Sequence, residues 1–361
     1  MMERDPLGLR RLYYRQDGSA ACTLRALVAS GPIHLDPLGV AFAFGETPPT
    51  EPPTDHTWVR GVRRVPAGHR LLGTPGHWRT EPCPSPPASL ASKSDDLAAA
   101  LLDTLAEVVT SERRVALALS GGLDSALLLA LLHEHLRDRL PAIYVLAPRL
   151  SGGAAYDESA AALALAHTFG LRPEVVTVHE DDLLAALPAC VRAAETPLYN
   201  AHPVARFCLL DRLAHDGIEV VLTGDGADQA FAGAPAEIYL PIVGALADAH
   251  GLTLACPFLA PRVLALAAEQ PPDPTKQKVR AAARGRLPDA LVDAPKTPRL
   301  APPLDLGRYW DAPSLEHLAR ALDRPQDTVA AITTDRQRMA WVTLALLCTS
   351  LGLTPSAEAR P

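Results

Sequence analysis

Small polar residues are concentrated in two glycine-rich turns, and both turns are of a kind that can bind phosphate. The first is SGGLDS at residues 120–125, which follows the apolar run Val115–Leu119 and precedes an apolar segment from Ala126 onward. This order predicts a buried parallel strand, a loop and a helix. Several backbone N–H groups and the positive end of a helix dipole then point to one place, which suits a polyanion such as pyrophosphate.

The residues of this turn are predicted to bind a nucleotide. Gly121 and Gly122 supply backbone N–H groups, and Ser120 and Ser125 supply hydroxyl groups. Asp124 offers a carboxylate for Mg²⁺ on the phosphates. The loop contains no lysine, which excludes a Walker-type site. An ordinary strand-to-helix turn is the alternative, but the complete string in strand–loop–helix order favours a nucleotide site.

The second turn is TGDGADQ at residues 223–229, which again follows an apolar run. In a doubly wound sheet, ligands lie beyond the carboxyl ends of the strands, so the two turns can face one crevice. We expect Gly224 to contact the nucleotide, and Asp124 and Asp228 to hold one Mg²⁺ from opposite sides of the pyrophosphate. Taken alone, Asp225 and Asp228 are also explained by turn chemistry.

The composition indicates a soluble globular protein that binds neither nucleic acid nor membrane. Of its 361 residues, 48% are hydrophobic and 21% charged, and the net charge is −7. Six scattered cysteines show no metal spacing and are expected to be mostly buried free thiols in a cytoplasmic protein. No secretion signal is visible at the N-terminus. The apolar run 339–348 is too short to span a bilayer and predicts a core helix.

The pattern of segments predicts an α/β fold with a Rossmann-like parallel sheet flanked by helices, preceded by a small β-rich N-terminal domain. The chain has 35 prolines, clustered at 45–55, read as a loop, and at 75–87, read as part of a linker. Short β-like segments precede the linker, and alternating helices and strands follow it. Strands are predicted at 115–119, 142–146, 175–178 and 219–222, and helices at 95–110 and 157–169.

The two turns together resemble a known family. SGGLDS followed by GDGADQ resembles the synthetase domain of the asparagine synthetase family, within the PP-loop ATP pyrophosphatase superfamily, which also includes β-lactam synthetases and lasso-peptide cyclases (macrolactam synthetases). PFL at 257–259 resembles the family's PFLD segment. Lys276 and Arg280, with Leu-Pro at 287–288, resemble its K-x-x-x-R…LP run, and Lys296 falls where the family carries an essential lysine. RDPLGLRRLYY at 4–14 and GVRRVPAGHRLL at 61–72 resemble the end of the family's glutaminase domain.

The resemblance implies a domain organisation and a fold. Residues 1–74 would be a truncated remnant of a class II glutamine amidotransferase domain, 75–94 a Pro-rich linker, and 95–361 an ATP-dependent amide synthetase domain with an adenine nucleotide α-hydrolase-like fold. The family's glutaminase nucleophile is an N-terminal cysteine, whereas position 2 is Met2 and the nearest cysteine is Cys22. Because such a nucleophile uses its own free amine as base, glutamine hydrolysis is not expected.

The resemblance also implies cofactors and catalytic roles. ATP and Mg²⁺ would be the cofactors, and Lys296 would stabilise negative charge at the α-phosphate and at the tetrahedral intermediate. Asp225 would assist the nucleophile by accepting a proton from the incoming amine. Three positions depart from the family pattern, namely Gln229, Ala260 and the Ala-Gly-Ala segment at 232–234. These departures leave the ATP and Mg²⁺ ligands intact but put asparagine synthesis itself in doubt.

The function expected from these features is ATP-dependent amide-bond formation through an acyl-adenylate, with release of pyrophosphate and AMP. Lasso-peptide macrolactam formation fits best, so the carboxylate substrate would be a precursor peptide, with a homo-oligomer or a peptide-delivering protein as possible partners. Three alternatives stay open: ammonia-dependent asparagine or β-lactam-type synthesis, a tRNA-modifying PP-loop enzyme, and a catalytically degenerate scaffold. Glu195 is expected to be a surface residue and His202 a structural one.

Overall fold

A computed structural model describes residues 2–28, 31–44, 55–83, 96–110, 112–150, 157–295 and 303–355. The strands within these ranges are β1 Met2–Glu3, β2 Tyr13–Arg15, β3 Ala20–Ala21, β4 Gly31–Ile33, β5 Val62–Arg64, β6 His69–Leu72, β7 Arg79–Pro82, β8 Val115–Leu119, β9 Ala142–Arg149, β10 Glu174–His179, β11 Val220–Leu222, β12 Thr253–Ala255 and β13 Leu353–Pro355. The α-helices are α1 Pro37–Ala43, α2 Leu97–Val109, α3 Leu123–His135, α4 Ser159–Thr168, α5 Glu180–Ala194, α6 His202–His215, α7 Ala227–Ala232, α8 Ala236–Ala249, α9 Pro261–Ala268, α10 Gln277–Ala283, α11 Asp289–Val292, α12 Ala312–Ala321 and α13 Asp335–Ser350.

A five-stranded sheet forms the centre of the molecule, with strand order β10-β9-β8-β11-β12 and every pair parallel. Helices cover both faces, which confirms the predicted α/β class with a parallel sheet. The four predicted strands are all present. The fifth strand, β12, was not predicted, because its sequence Thr-Leu-Ala contains one large apolar residue, whereas the equally short β11 is Val-Val-Leu.

Alternation along the central strands places side chains in two separate cores, one on each face of the sheet. In β8, Ala116 belongs to the core formed with α5, α6 and α13, whereas Leu117 belongs to the core formed with α2 and α3. In β11, Val221 and Leu222 divide in the same way. Because both faces are buried, these strands read as continuous apolar runs rather than as alternating ones.

The strand order creates a crevice at the carboxyl end of the sheet. From β8 the chain proceeds through α3 to β9 and then to β10 on one side, whereas β11 and β12 lie on the other side of β8. The connections that leave β8 and β11 therefore diverge at the point where the strand order reverses. In open α/β sheets, this switch point is where ligands bind.

The N-terminal region packs directly on the central layer. It contains two small antiparallel sheets, β1-β6-β7 and β3-β2-β5, and β4 pairs in parallel with β13 near the other end of the chain. Its Tyr13 and Trp58 belong to the same core as Leu183 of α5 and Trp341 of α13. Strand β7 lies inside the predicted linker, at a sheet edge where its Pro82 is tolerated. The β-rich region thus extends past residue 74; residues 84–95 lie outside the described ranges.

A buried ion-pair cluster around Glu195 holds this region in place. Glu195 is 1% exposed and lies 3.2 Å from Arg11 and 2.6 Å from Arg25, and it also accepts the backbone N–H of Leu24 at 2.6 Å. The expectation that Glu195 is a surface residue is therefore wrong. Two N-terminal arginines pair with its carboxylate and a backbone N–H donates to it, and these interactions offset the cost of burying the charge.

Three further observations concern the composition-based expectations. None of the described helices is long and apolar enough to cross a membrane. The predicted core helix at 339–348 is confirmed as part of α13. The six cysteines are free thiols: Cys190 and Cys348 are buried, Cys83, Cys208 and Cys256 are partly buried, and Cys22 is exposed.

Candidate active site

The first glycine-rich loop joins β8 to α3 and is held rigid by its own serines. The Ser125 hydroxyl is 2.9 Å from the Ser120 hydroxyl and accepts the Ser120 backbone N–H at 3.1 Å, and Ser125 is only 3% exposed. Gly122 is the N-cap of α3, and no side chain among the described residues caps the helix. The first N–H groups of α3 therefore need another acceptor, and an anion at the helix N-terminus can supply it.

The second loop, between β11 and α7, touches the first one at Gly224. A Cβ atom placed on Gly224 would lie 2.8 Å from the backbone nitrogen of Ser125 and 3.0 Å from the Cβ of Asp124. Only glycine permits this approach. At Gly226, φ is +96° and an added Cβ would lie 2.2 Å from Leu259 Cδ2. The PFL segment thus packs under the second loop and helps to fix its position.

Lys276 connects the two loops. Its Nζ donates to both carboxylate oxygens of Asp124 at 2.7 Å and lies 3.0 Å from Oδ1 of Asp228. Burial of the Lys276 ammonium acts to lower its pKa, but the two aspartates outweigh that effect and the pKa is raised. The residue has φ 53° and ψ 49°, a left-handed conformation that is uncommon outside glycine and costs about 1–3 kcal/mol. Strain of this kind is concentrated at functional sites.

The same two carboxylates fit the Mg²⁺ implied by the sequence. One Lys276 ammonium contacts both of them, so a single cation can be shared between Asp124 and Asp228. Among the described residues, no group of three or more acidic, histidine or cysteine side chains is gathered for a metal. Two carboxylates are nevertheless sufficient for Mg²⁺, because this ion takes its remaining ligands from substrate phosphates and water.

Asp225, the predicted proton acceptor, is bonded to Arg206 of α6. The guanidinium donates to Oδ2 at 2.6 Å and to Oδ1 at 3.2 Å, a bidentate geometry. Both side chains are largely buried, with 19% of Arg206 and 10% of Asp225 exposed. The Arg206 guanidinium also lies 5.9 Å from the centre of the Tyr239 ring. Burial acts to lower the pKa of Arg206, but Asp225 and Tyr239 outweigh it, so the guanidinium stays charged.

An open cleft lies at the carboxyl ends of β8 and β9. Ser120 of the first loop lines it, together with the apolar residues Leu119, Val145 and Leu146. Arg206 of α6 also lines it. A cleft that combines apolar lining with a few polar groups has the general form of a small-molecule site. His202, expected to be structural, lines this cleft.

The lysine and the arginine of the K-x-x-x-R run make contacts in two different places. While Lys276 contacts the aspartates, Arg280 donates to the backbone carbonyls of Val292 and Ala294, the latter at 2.9 Å. Arg280 thereby holds the chain just before Lys296. Lys296 itself lies outside the described residues, and its assignment stays a prediction.

The structure brings together most of the predicted site residues and adds two that the sequence reasoning missed. Those at the two facing loops are Ser120, Gly121, Gly122, Asp124, Ser125, Gly224, Asp225 and Asp228. The contact of Lys276 with the aspartates was not foreseen, although its family-like position was a signal for it. Arg206 had no signal at all, because nothing in the local sequence relates it to Asp225.

Comparisons with known proteins agree with this site. Residues 96–245 match the family model described as asparagine synthase. A putative asparagine synthetase [glutamine-hydrolyzing] of Mycobacterium bovis is 32% identical over 142 residues, which cover 39% of this chain and 21% of that protein. The amidase chyE of Penicillium rubens is 27% identical over 198 residues, or 49% of this chain and 29% of that protein. The matches to these two proteins thus span less than a third of each relative's length.

Solved structures of lower similarity include an NH3-dependent NAD synthetase from Campylobacter jejuni. It shares 17% identity and a TM-score of 0.36, with 73% of this chain and 97% of that chain covered. The sequence matches support the asparagine synthase family for residues 96–245, the segment that contains both glycine-rich loops.

Proposed function

We propose that this chain is an ATP-dependent ligase that joins a carboxylate to an amine and releases pyrophosphate and AMP. The convergence of three features at one switch point carries the proposal: an uncapped helix N-terminus, a pair of aspartates, and a buried lysine that contacts both aspartates. Protein groups contribute to phosphoryl and adenylyl transfer mainly by positioning and by neutralising charge, and these features do both.

In the proposed reaction, an oxygen of the substrate carboxylate attacks the α-phosphorus of ATP, and the bond to the β-phosphate oxygen breaks. An amine then attacks the acyl carbon, loses a proton and displaces AMP. The N–H groups at the start of α3 and the Ser120 hydroxyl would hold the leaving pyrophosphate, and Lys276 would neutralise its charge. When bound between Asp124 and Asp228, Mg²⁺ would supply further charge neutralisation at the phosphates.

The Arg206–Asp225 pair suggests a modified role for Asp225. The resemblance implied that this carboxylate accepts the amine proton, yet both of its oxygens are bonded to the guanidinium. We therefore assign Asp225 to positioning Arg206, which lines the nucleotide cleft as a fixed cation close to the second loop. Lys296 remains assigned, by resemblance, to the charge that develops at the α-phosphate.

At a finer level, we propose macrolactam formation, in which the carboxylate and the amine belong to one precursor peptide. The departures at Gln229, Ala260 and the 232–234 segment support this choice over asparagine synthesis. Ammonia-dependent asparagine synthesis is the second candidate. The match to a putative glutamine-hydrolyzing asparagine synthetase favours asparagine as the product, and the use of free ammonia is part of this candidate proposal. A tRNA-modifying enzyme is disfavoured because the chain is acidic, with a net charge of −7.

The test measures release of AMP and pyrophosphate from ATP–Mg²⁺, with aspartate plus ammonium in one series and candidate precursor peptides in another. Turnover with a peptide, accompanied by loss of one water from its mass, supports macrolactam formation. Asparagine as the product refutes macrolactam formation but keeps the ligase. ATP binding without turnover on any substrate favours a scaffold.

Two lysine variants distinguish an effect at the proposed site from a general effect of removing a positive charge. Lys276→Met removes the cation between the aspartates and is expected to lower turnover by about 100-fold or more, as for the loss of one preorganised charge-stabilising group. Lys278→Met removes a lysine two residues away that contacts Glu269 and the carbonyl of Leu266, outside the site. Equal turnover of the two variants would contradict the assignment of Lys276.

A further inference from the structure

A second cavity adjoins the nucleotide cleft. It is an open cavity between three segments of chain: residues 199–202 at the start of α6, residues 303–306, and the first turns of α13. Ala201 and His202 line both this cavity and the nucleotide cleft. The two spaces therefore meet at the N-terminus of α6. A molecule bound in the second cavity has its nearer end next to the cleft where the proposed chemistry takes place.

One wall of the second cavity is apolar. Pro303, Leu304, Leu306 and Met339 form it, and Leu306 and Met339 are buried by the core on their other side. Pockets for small organic molecules are mostly apolar, with a few polar groups that fix orientation. An apolar wall of this extent stabilises a ligand only if the ligand has an apolar group large enough to cover it.

The remaining wall presents opposite charges side by side. Arg336 lies over the ring of Tyr199, with its guanidinium carbon 4.4 Å from the ring centre, a cation–π contact that restrains the guanidinium. Asp335, the preceding residue on α13, also lines the cavity. The carboxylate can attract an ammonium group, and the guanidinium can attract a carboxylate or a carbonyl oxygen.

We infer that the second cavity binds an α-amino acid residue with a large apolar side chain, as part of the molecule that is ligated. This inference rests on the proposed function and names its substrate class. The apolar wall contacts the side chain of the ligand, Asp335 binds its ammonium group, and Arg336 binds its carboxyl or carbonyl oxygen. Aspartate matches the charged groups but leaves the apolar wall uncovered. A free amino acid and the first residue of a peptide carry the same recognition elements.

The experiment measures binding directly and needs no turnover. Equilibrium dialysis with radiolabelled L-phenylalanine, L-aspartate and the peptide Phe-Gly-Gly is carried out on the full chain and on three variants. Leu304→Trp fills the cavity from a half-buried position, and Arg336→Gln removes the stacked cation. Arg338→Gln removes an exposed arginine of the same helix that does not line the cavity. Binding of a fluorescent ATP analogue is measured on every protein.

Phenylalanine is expected to bind about tenfold or more tightly than aspartate, because an apolar side chain leaves water for the apolar wall. Leu304→Trp and Arg336→Gln are each expected to weaken phenylalanine binding by about tenfold or more, and Arg338→Gln to leave it unchanged. Tighter binding of Phe-Gly-Gly than of phenylalanine assigns the cavity to a peptide, and the reverse order assigns it to a free amino acid.

Preference for aspartate, or phenylalanine binding that neither cavity variant weakens, would overturn the inference. If the fluorescent ATP analogue binds every protein and no phenylalanine probe binds any, the inference fails while the nucleotide site stands. If the ATP analogue fails to bind and phenylalanine binds as expected, the proposed function fails while the cavity assignment stands. If Leu304→Trp does not fold, Arg336→Gln against Arg338→Gln decides the outcome.

Discussion

The Arg206–Asp225 pair offers the sharpest test of the site, because its energy and its position can both be measured. The proposed perturbation is a double-mutant cycle with Arg206→Met, which keeps an apolar stem, and Asp225→Asn, which keeps the shape of the side chain. The two hydrogen bonds measure 2.6 and 3.2 Å, and only 19% and 10% of the two side chains are exposed. Loss of one partner therefore leaves a largely buried charge without its counter-ion.

The magnitude follows from this burial. Breaking a fully buried pair costs about 3–5 kcal/mol, and the residual exposure here reduces the expected loss for each single variant to about 2–4 kcal/mol. One charge-assisted bond is short and the other long, so the coupling between the two changes should be about 2 kcal/mol. The double variant should therefore lose less stability than the sum of the single variants by that amount.

The assay is urea-induced unfolding followed by circular dichroism, with ATP binding measured on the same samples. Arg212→Met is the matched control, because Arg212 lies on the same helix and pairs with Asp216 at 2.8 Å, but is 47% exposed. Its loss should cost much less stability than the loss of Arg206, because solvent screens an exposed ion pair. Additive effects of Arg206→Met and Asp225→Asn, or a control as costly as Arg206→Met, would refute the assignment of a buried, coupled pair.

Three shorter predictions concern other parts of the structure. Gly224→Ala should weaken ATP binding by about tenfold or more, because the added Cβ would push the two loops apart. Gly18→Ala is the control, because its Cβ would meet only ordinary contacts from 3.4 Å, and it should leave ATP binding unchanged. Nucleotide titration measures both variants. Glu195→Gln should destabilise the chain by about 3 kcal/mol in urea titrations, because it leaves buried arginine charge uncompensated. The same variant should be cleaved faster by proteases within residues 2–28. An unchanged digestion pattern would contradict the anchoring role of Glu195. Burial raises the pKa of the Cys256 thiol to about 12. At pH 8 only about one in 10,000 of these groups is then a thiolate, the form that reacts, so alkylation of Cys256 should be very slow at that pH and should speed up as the pH approaches 12. Mass spectrometry should therefore find exposed Cys22 modified before Cys256 in the folded protein, and the reverse order would contradict the burial.

The sequence was sufficient to predict four of the five central strands and the two turns that follow β8 and β11. The runs Val115–Leu119 and Val220–Leu222 are apolar because both faces of each strand are buried, and that pattern is local. The glycine-rich turns that follow them are also local signals. Since parallel strands place their carboxyl ends at one edge, the meeting of SGGLDS and TGDGADQ followed from the fold class alone.

The predictions failed where a residue's environment depends on distant parts of the chain. Glu195 was expected at the surface because glutamate usually lies there, yet Arg11 and Arg25, far away in sequence, bury and neutralise it. Strand β12 was missed because its sequence Thr-Leu-Ala contains one large apolar residue, and its strand conformation depends on pairing with β11.

The sequence by itself therefore determined which backbone segments surround the crevice, because strand and helix periodicity and glycine turns are encoded over a few neighbouring residues. Only the tertiary structure decided which charges meet there. Lys276 contacts Asp124, which is 152 positions away in the sequence, and Arg206 of α6 contacts Asp225 in the turn after β11. Ion pairs depend on distances between folded elements, and the packing of the two cores determines those distances.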